Sequence, residues 1–136
     1  MEKQKEIKIK RLAPKIRRCK KCPLWRTRNN TVPGEGPANA KIMIIGQAPG
    51  QEENFQGRPF VGRAGQFLNQ LLKLAKIKRE KAFVTSPLKC FPPQNRKPTK
   101  KEIAACLPYL LEQIDIINPQ KVILLGEVAF SIFFPK

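Results

Sequence analysis

The sequence contains no histidine, a single tryptophan, a single tyrosine and only 10 acidic residues among 136. Without histidine, no imidazole can act as an acid, a base or a metal ligand. No apolar run approaches the roughly 18 to 20 residues that a bilayer-spanning helix needs, and the N-terminal MEKQKEIKIKRLAPKIRRCKKC has no apolar signal region. We therefore expect a cytoplasmic protein without a membrane partner, folded as one domain over residues 1–136.

Positive charge dominates the composition. Lysine and arginine number 27 against 10 acidic residues, which gives a formal net charge of +17. The excess is densest before residue 29, and two smaller basic groups lie at residues 73–81 and 96–101. Such a surface attracts phosphate polyanions by releasing their counterions. A solvated lysine-rich surface is the alternative, but +17 on so short a chain favours nucleic acid as the partner.

Apolar periodicity predicts strands that alternate with helices. The strands are expected at 41–45, 82–85 and 121–125, and the helices at 6–18, 65–76, 99–118 and just after Gly126. Pro14 is expected to interrupt the first helix, Thr99 and Glu102 form a capping box, and the proline-rich residues 91–98 are expected to be irregular. The second helix is predicted to bury one face, made of Phe67, Leu68, Leu71, Leu72 and Ala75. This order predicts an α/β fold with a parallel sheet covered on both faces.

The first predicted strand ends in the turn GQAPG, residues 46–50. Ligands of open parallel sheets bind beyond the carboxyl ends of the strands, where this turn lies. Gly46 and Gly50 permit unusual backbone angles, and Pro49 stiffens the turn. The turn lacks the Gly-x-Gly-x-x-Gly and Gly-Lys-Ser/Thr patterns of nucleotide loops, which disfavours a zinc protein with an α/β nucleotide site.

The four cysteines, Cys19, Cys22, Cys90 and Cys106, include one C-x2-C pair. The close pair argues against four unrelated buried thiols, and disulfides are disfavoured in an intracellular protein. The spacing fits a tetrahedral zinc site or an iron–sulfur cluster on four thiolates, and does not separate the two. Either site would close the long loop from Cys22 to Cys90 and help to hold the fold.

The order of motifs is specific when taken together. A C-x2-C pair is followed by GQAPG, then GRPFVGRAG, then KCFPPQNRKPT and a helix with the fourth cysteine. This order resembles the type-4 (family 4) iron–sulfur uracil-DNA glycosylases from Cys19 to about Phe134. The resemblance implies a three-layer α/β/α fold, a [4Fe–4S] cluster on the four cysteines, and excision of uracil from DNA in base excision repair.

The resemblance also assigns candidate site residues. The expected uracil-binding residues are Gly46, Gln47, Ala48, Phe60 and Ser86. The backbone of the turn would stabilise the charge on the leaving base, as an oxyanion hole does, and Phe60 would stack on the flipped base. The candidate catalytic residues are Gln47 and Glu53, and the candidate DNA-binding residues are Arg63, Arg96 and Lys97. Core packing is the alternative role of Phe60, and a first helical turn is that of Glu53.

Three departures from the family pattern weaken the expected chemistry. Gln47 stands where the family has Glu, and an amide cannot accept a proton from water at neutral pH. Ser86 stands where the family has Asn, and a rotatable hydroxyl should discriminate bases less well. The family's later His-Pro loop has no counterpart, because the chain contains no histidine.

We therefore expect a basic N-terminal arm at residues 1–18 and a glycosylase core at 19–136 that is incomplete at the C-terminus and lacks the family's catalytic loop. Activity should be weak or absent in this chain alone, and a complementing C-terminal fragment or second chain would restore it. The alternative function is a non-catalytic DNA-binding or lesion-sensing iron–sulfur module.

Overall fold

A three-stranded parallel sheet forms the centre of the computed structural model, which describes residues 2–135. The strands are β1 (Ile42–Ile45), β2 (Ala82–Thr85) and β3 (Lys121–Leu124), in the spatial order β2-β1-β3. The two outer strands differ in burial: every residue of β2 is buried, whereas the first two residues of β3 are exposed. The predicted strands are confirmed to within one residue at each end.

Five α-helices flank the sheet within residues 2–135: α1 (Glu2–Arg17), α2 (Gln51–Gln56), α3 (Arg63–Leu74), α4 (Lys100–Ile117) and α5 (Glu127–Phe133). Short 3-10 turns lie at Pro23–Arg26, Arg79–Lys81 and Pro93–Asn95. The predicted capping box is present, because Thr99 Oγ1 accepts from Glu102 N and Glu102 Oε1 accepts from Thr99 N. Helix α4 ends at Asn118, which adopts a left-handed conformation before Pro119.

Helices cover both faces of the sheet, which confirms the three-layer α/β/α fold. On one face, Leu68 and Leu72 of α3 pack with Ile44, Ala82 and Val84. On the other face, the buried cluster combines side chains of the sheet with α4 and α5, namely Met43, Ile45, Phe83, Leu110, Ile117 and Ala129. Helix α1 packs on α4, so the expected N-terminal arm is held against the fold rather than extended from it.

The expectation that residues 91–98 are irregular is confirmed, because the short 3-10 turn at Pro93–Asn95 has positive φ at Gln94 and Asn95. Two local expectations were wrong. Pro14 does not interrupt α1, because only the carbonyl of the exposed residue Lys10 loses its helical partner and water can replace it. The predicted apolar face of α3 is divided, with Leu68 and Leu72 buried and Phe67, Leu71 and Ala75 exposed.

Among residues 2–135, none of the helices is long and apolar enough to cross a membrane.

Candidate active-site cavity and four-cysteine cluster

A cavity of about 200 Å³ opens beside the carboxyl ends of β1 and β2, where a ligand of a parallel sheet is expected. Its walls come from the 47–50 turn, the 59–64 segment, the end of β2 and the 91–98 loop. Five predicted site residues line it, Gln47, Ala48, Glu53, Phe60 and Ser86. Gly46 lies directly behind the ring of Phe60, and Thr85 and Asn95 are lining residues that the sequence analysis missed.

The two glycines of the turn provide space rather than unusual backbone angles. Neither Gly46 nor Gly50 has a positive φ, so the expected conformational role was wrong. A Cβ on Gly46 would lie 2.4 Å from Phe60 Cζ, and a Cβ on Gly50 would lie 2.7 Å from Glu53 Oε1. The Gly46 N–H donates to Thr85 O at 2.9 Å, which extends the pairing of β1 with β2 to the edge of the cavity.

Phe60 forms both a wall of the cavity and part of the packed layer under α3. Its backbone is left-handed, with φ of 50°, which is unusual for an aromatic residue. Gly65 permits this arrangement, because a Cβ there would lie 1.9 Å from Phe60 O. Core packing and a surface that faces a ligand, the two alternative roles expected of Phe60, are combined in this one side chain.

Glu53 links two segments that border the cavity. Its Oε1 accepts from Gly50 N at 2.9 Å, and its Oε2 accepts from Val61 N and Gly62 N, both at 2.8 Å. Both carboxylate oxygens are therefore committed to backbone amides, and α2 begins as the alternative interpretation of Glu53 expected. This geometry gives no support to the hypothesis that Glu53 activates water.

The side chain of Gln47 is directed towards α5. Its Oε1 accepts from Val128 N at 3.1 Å, in the first turn of that helix. Gly126, with φ of 96°, leaves the necessary space, because a Cβ there would lie 2.7 Å from Gln47 Cδ. Gln47 thus satisfies one of the unpaired amides at the start of α5, while its Nε2 group is left for another partner.

Ser86 lines the cavity at the end of β2, and the buried Lys89 binds this segment without lining the cavity. The Ser86 hydroxyl donates to Leu88 O, so towards a ligand its oxygen can act only as an acceptor. Lys89 is 1% exposed, and its Nζ donates to Thr85 Oγ1, to Ser86 O at 2.7 Å and to Gln113 Oε1 at 2.8 Å. Burial lowers the pKa of Lys89 to about 7. No sequence pattern indicates that Lys89 is buried, since lysines rarely are.

Asn95 reaches the cavity from the 91–98 loop. Its left-handed backbone, with φ of 57°, is one that asparagine tolerates better than most residues. The side-chain amide offers both a donor and an acceptor at the mouth of the cavity. The signal that could have found it is the sequence PPQNR, in which an asparagine follows a proline turn near the third cysteine.

All four cysteines line a second, smaller cavity between the end of α1, the C-x2-C segment and α4. All four are free thiols, and three of their sulfurs accept N–H groups: Cys19 Sγ from Lys21 N at 3.5 Å, Cys90 Sγ from Arg28 Nη1 at 3.3 Å and Cys106 Sγ from Lys89 N at 3.2 Å. Within residues 2–135, no group of three or more His, Cys, Asp or Glu side chains is arranged to hold a single metal ion.

Protein burial works against the charged form of two of these thiols. It raises the pKa of Cys106 to about 12 and raises that of Cys90, which the guanidinium of Arg28 partly opposes. Four cysteines line one cavity, and N–H groups donate to three of their sulfurs, an environment of the kind that stabilises the thiolates of an iron–sulfur cluster. The donor set therefore fits such a cluster.

The candidate DNA-binding residues fall into two groups. Arg63, at the start of α3, and Lys97 are exposed. Arg96 instead donates to Glu102 Oε1 at 2.8 Å and Oε2 at 2.7 Å, and this pairing holds the pKa of Glu102 down at about 2. Its guanidinium is committed to the start of α4, so a contact with DNA phosphate would have to compete with Glu102.

Comparison with known proteins agrees with the resemblance. The sequence profile of the uracil DNA glycosylase superfamily matches residues 33–136. The type-4 uracil-DNA glycosylase of Saccharolobus solfataricus is 48% identical over 126 residues, which cover 92% of this chain and 58% of that protein. The type-4 enzyme of Thermotoga maritima is 46% identical over 122 residues, which cover 90% of this chain and 64% of that protein.

A more distant relative is the type-5 uracil-DNA glycosylase of Pyrobaculum aerophilum, 33% identical over 121 residues, which cover 78% of this chain and 53% of that protein. The resemblance to type-4 proteins is thus confirmed at 46–48% identity. The chain spans 58–64% of the length of these type-4 relatives.

Proposed function

This chain belongs to the uracil DNA glycosylase superfamily, and on that premise we propose that it binds DNA and takes part in hydrolysing the N-glycosidic bond of uracil. The observation that carries the proposal is the cavity at the carboxyl ends of β1 and β2, with Phe60 on one wall and Ser86 and Asn95 on another. An enzyme that removes a base must first take it out of the stack and hold it in such a pocket.

The walls suit a flipped pyrimidine. The Phe60 ring offers a flat apolar surface to one face of the base. Ser86 Oγ, which can only accept, would take the N–H of the uracil edge, and the Asn95 amide can donate to a carbonyl oxygen of that edge. An acceptor beside a donor matches the N–H and C=O groups of a uracil edge, which favours uracil over an apolar ligand.

The turn supplies stabilisation of the leaving base. The backbone N–H groups of Gln47 and Ala48 have no acceptor among residues 2–135 and border the cavity. Fixed N–H donors in a partly enclosed site stabilise developing negative charge without reorganisation. For the attacking water, the free Nε2 of Gln47 and the amide of Asn95 are the positioning groups, because Glu53 is bound to three backbone amides.

The four cysteines would hold a [4Fe–4S] cluster with Cys19, Cys22, Cys90 and Cys106 as ligands. A cluster spreads its four thiolates over several irons, whereas one zinc needs all four sulfurs within about 2.3 Å of a single ion. We prefer the cluster to zinc because the order of motifs resembles that of the type-4 iron–sulfur uracil-DNA glycosylases. Its role would be structural, joining the C-x2-C segment to the 91–98 loop and α4.

DNA would lie across the cavity mouth, with Arg63 and Lys97 on its phosphates. A net charge of +17 supports this sequence-independent attraction. The protein would work in the cytoplasm on uracil-containing DNA, single- or double-stranded, where four free thiols stay reduced. Nothing observed in residues 2–135 favours the non-catalytic alternative.

Residues 1–136 would form one domain that supplies the pocket floor, the stacking wall and the cluster. The chain has no histidine and spans 58% of the Saccharolobus solfataricus relative, so leaving-group assistance by an imidazole would need a complementing segment or second chain.

Single-turnover uracil release, measured with protein in excess over single-stranded DNA that carries one uracil, tests the proposal. We expect slow release that Phe60→Ala abolishes and no release from DNA with thymine at that position. Two results together would reject the proposal. The chain would bind uracil-containing and thymine-containing DNA equally well, and it would release no base from either, even when extended with a relative's C-terminal segment.

A further inference from the structure

The backbone conformation of Phe60 is strained, and strain of this kind persists only where the surroundings fix it. Its φ of 50° lies in the left-handed region, which non-glycine residues with bulky side chains rarely adopt. Phe60 is also the one aromatic side chain that lines the cavity beside β1 and β2 within residues 2–135. The groups that hold its backbone therefore decide where the wall of the cavity stands.

Arg79 supplies the strongest of these contacts. Its Nη1 donates to Phe60 O at 2.9 Å, and its Nη2 donates to Pro59 O at 2.7 Å. Nη1 also donates to Asn69 Oδ1 at 2.7 Å, which anchors the guanidinium on α3. The planar fork thus binds two consecutive carbonyls, a geometry that a lysine ammonium cannot reproduce.

Two glycines leave the space that Phe60 occupies. A Cβ on Gly65 would lie 1.9 Å from Phe60 O, and a Cβ on Gly46 would lie 2.4 Å from the ring at Cζ. Arg58, the residue before Pro59 and Phe60, is held as well, because it forms an ion pair with Glu35 at 2.7 Å. The segment 58–60 is therefore held on one side by Glu35 and on the other by Arg79.

Arg79 does not act as a surface charge. The sequence places it in the basic group at 73–81, yet its side chain is half-buried, and three protein oxygens occupy its donors. Burial lowers the pKa of Arg79, but a guanidinium stays charged at neutral pH. Arg79 is absent from the cavity lining, so it acts on a bound base through Pro59 and Phe60, which do line the cavity.

We infer that Arg79 is the positioning residue of the cavity, which holds the Pro59 and Phe60 carbonyls so that the Phe60 ring stands against Gly46 at the end of β1. The effect of Arg79 on the position of the Phe60 ring does not depend on whether the protein is active. Its consequence for uracil rests on the proposed function, since a ring displaced by about 1 Å can cost 100-fold in rate when it positions a substrate.

The structural consequence is tested by NMR of Gly46. The Phe60 ring shifts the amide and Hα signals of Gly46 through its ring current, and Phe60→Leu gives the reference without a ring. We expect Arg79→Gln to move both signals towards that reference, and Arg79→Lys to move them nearly as far, because charge alone does not replace the fork. Asn69→Ala, which removes only the anchor on α3, should give a smaller change of the same sign.

The matched control is Lys121→Gln, which removes one positive charge from the start of β3, at the other end of the sheet from the cavity. It should leave the Gly46 signals in place. Methyl signals of Leu110 and Ile117, in the layer on the opposite face of the sheet, report whether each variant is folded. Gly46 signals that stay unchanged in folded Arg79→Gln would overturn the inference.

The functional consequence is tested by single-turnover uracil release from single-stranded DNA. We expect Arg79→Gln to slow release by about 10- to 100-fold while affinity for thymine DNA stays within about two-fold of the parent protein. Unchanged release in a variant whose Gly46 signals have moved would refute the link to the pocket. If the parent protein and all variants release no uracil even when extended with a relative's C-terminal segment, the proposed function fails, and the Gly46 signals still decide the positioning role.

Discussion

The side-chain oxygen of Gln47 accepts a hydrogen bond from the backbone N–H of Val128, across 81 positions of sequence and at 3.1 Å. A residue of the turn after the central strand β1 therefore also satisfies the start of α5. The position of Gln47 in the motif predicts that its side chain positions water. Its Oε1 is instead bound to Val128, and only its Nε2 group is left for the cavity. Substitutions at residue 47 will act on stability and on chemistry at once.

Removal of the Gln47 side chain should destabilise α5. We expect Gln47→Ala to lower the free energy of unfolding by about 1 kcal/mol, the usual cost of losing a helix N-terminal acceptor. Gln47→Glu should keep the bond, because a carboxylate accepts as well and suits the positive end of the helix. Urea denaturation checks both, with Gln56→Ala at the exposed end of α2 as control. Equal stability of Gln47→Ala and the parent chain would contradict the capping role.

The Arg96–Glu102 pair should make stability depend on acid. Arg96 first, and the amide and hydroxyl of Thr99 with it, lower the pKa of Glu102 to about 2 from an ordinary 4.5. Because the folded pKa is the lower one, the stabilisation is complete above about pH 4.5 and disappears as the pH falls towards 2.

Glu102→Gln should therefore be less stable than the parent chain by roughly 1–3 kcal/mol at pH 6, with the difference closing near pH 2. The lower end allows for screening of Arg96, whose side chain is 41% exposed. Thermal unfolding across this pH range measures it, and Glu112→Gln on the exposed side of the same helix is the control. A difference that does not vary with pH would show that Glu102 acts by packing alone.

Metal loading should follow the four cysteines. Protein purified without oxygen is expected to be brown, with broad visible absorption and several irons per chain, as thiolate-ligated clusters give. Cys90→Ala should lose iron and also stability, because the loop from Cys22 to Cys90 is no longer closed. Arg28→Gln, which removes the N–H donor to Cys90 Sγ, should keep iron but lose it faster under oxygen. Colourless protein with one zinc per chain would reject the cluster.

Much of the fold could be predicted from local pattern. Strand β2 was predicted residue for residue, and the α4 capping box was read from Thr99 and Glu102, because both signals depend on neighbours in sequence. The helical period of α3 was also local, but which of its apolar residues are buried was not. Leu68 is 4% exposed and Phe67 61% exposed, since only one side of α3 meets the sheet.

The candidate site was predictable in membership but not in orientation. The order of the motifs predicted that Gln47, Phe60 and Ser86 share one site, and all three line the cavity. The partners of each side chain are distant in sequence, as Gln47 with Val128 and Arg79 with Phe60 show, so no local rule identifies them. Lys89 was missed for a related reason: its burial depends on acceptors from Thr85 and Gln113, which only the packed fold supplies.

DNA affinity should fall steeply with salt and vary little with sequence. The log–log slope should be about −0.7 to −0.9 per phosphate neutralised. Lys97→Ala should reduce the slope by about one phosphate, and Lys121→Ala, at the other end of the sheet, should not. Arg96 is a poor choice for this measurement because its loss also frees Glu102. A slope that changes only when exposed lysines of α1 are neutralised would move the contact to that helix.

Excision by residues 1–136 is expected to be very slow. The chain keeps backbone donors at Gln47 and Ala48, but it has an amide at 47, an acceptor-only hydroxyl at Ser86 and no histidine. Losing one stabilising donor typically costs about 100- to 1,000-fold in rate, and losses among groups that act as a unit are not additive. Gln47→Glu combined with Ser86→Asn should therefore raise activity only in part.

This chain covers 64% of the Thermotoga maritima relative, and addition of a C-terminal segment from that protein should raise release more than the two point changes. The reason is that a segment can bring a new proton donor to the leaving base, whereas Gln47→Glu only alters a side chain already bound to Val128. The parent chain, the double variant and the extended chain are compared by single-turnover release from single-stranded uracil DNA. Phe60→Ala in each protein is the blank. Rapid multiple-turnover release by residues 1–136 alone would show instead that the turn at 46–50, with Asn95, is sufficient for the reaction.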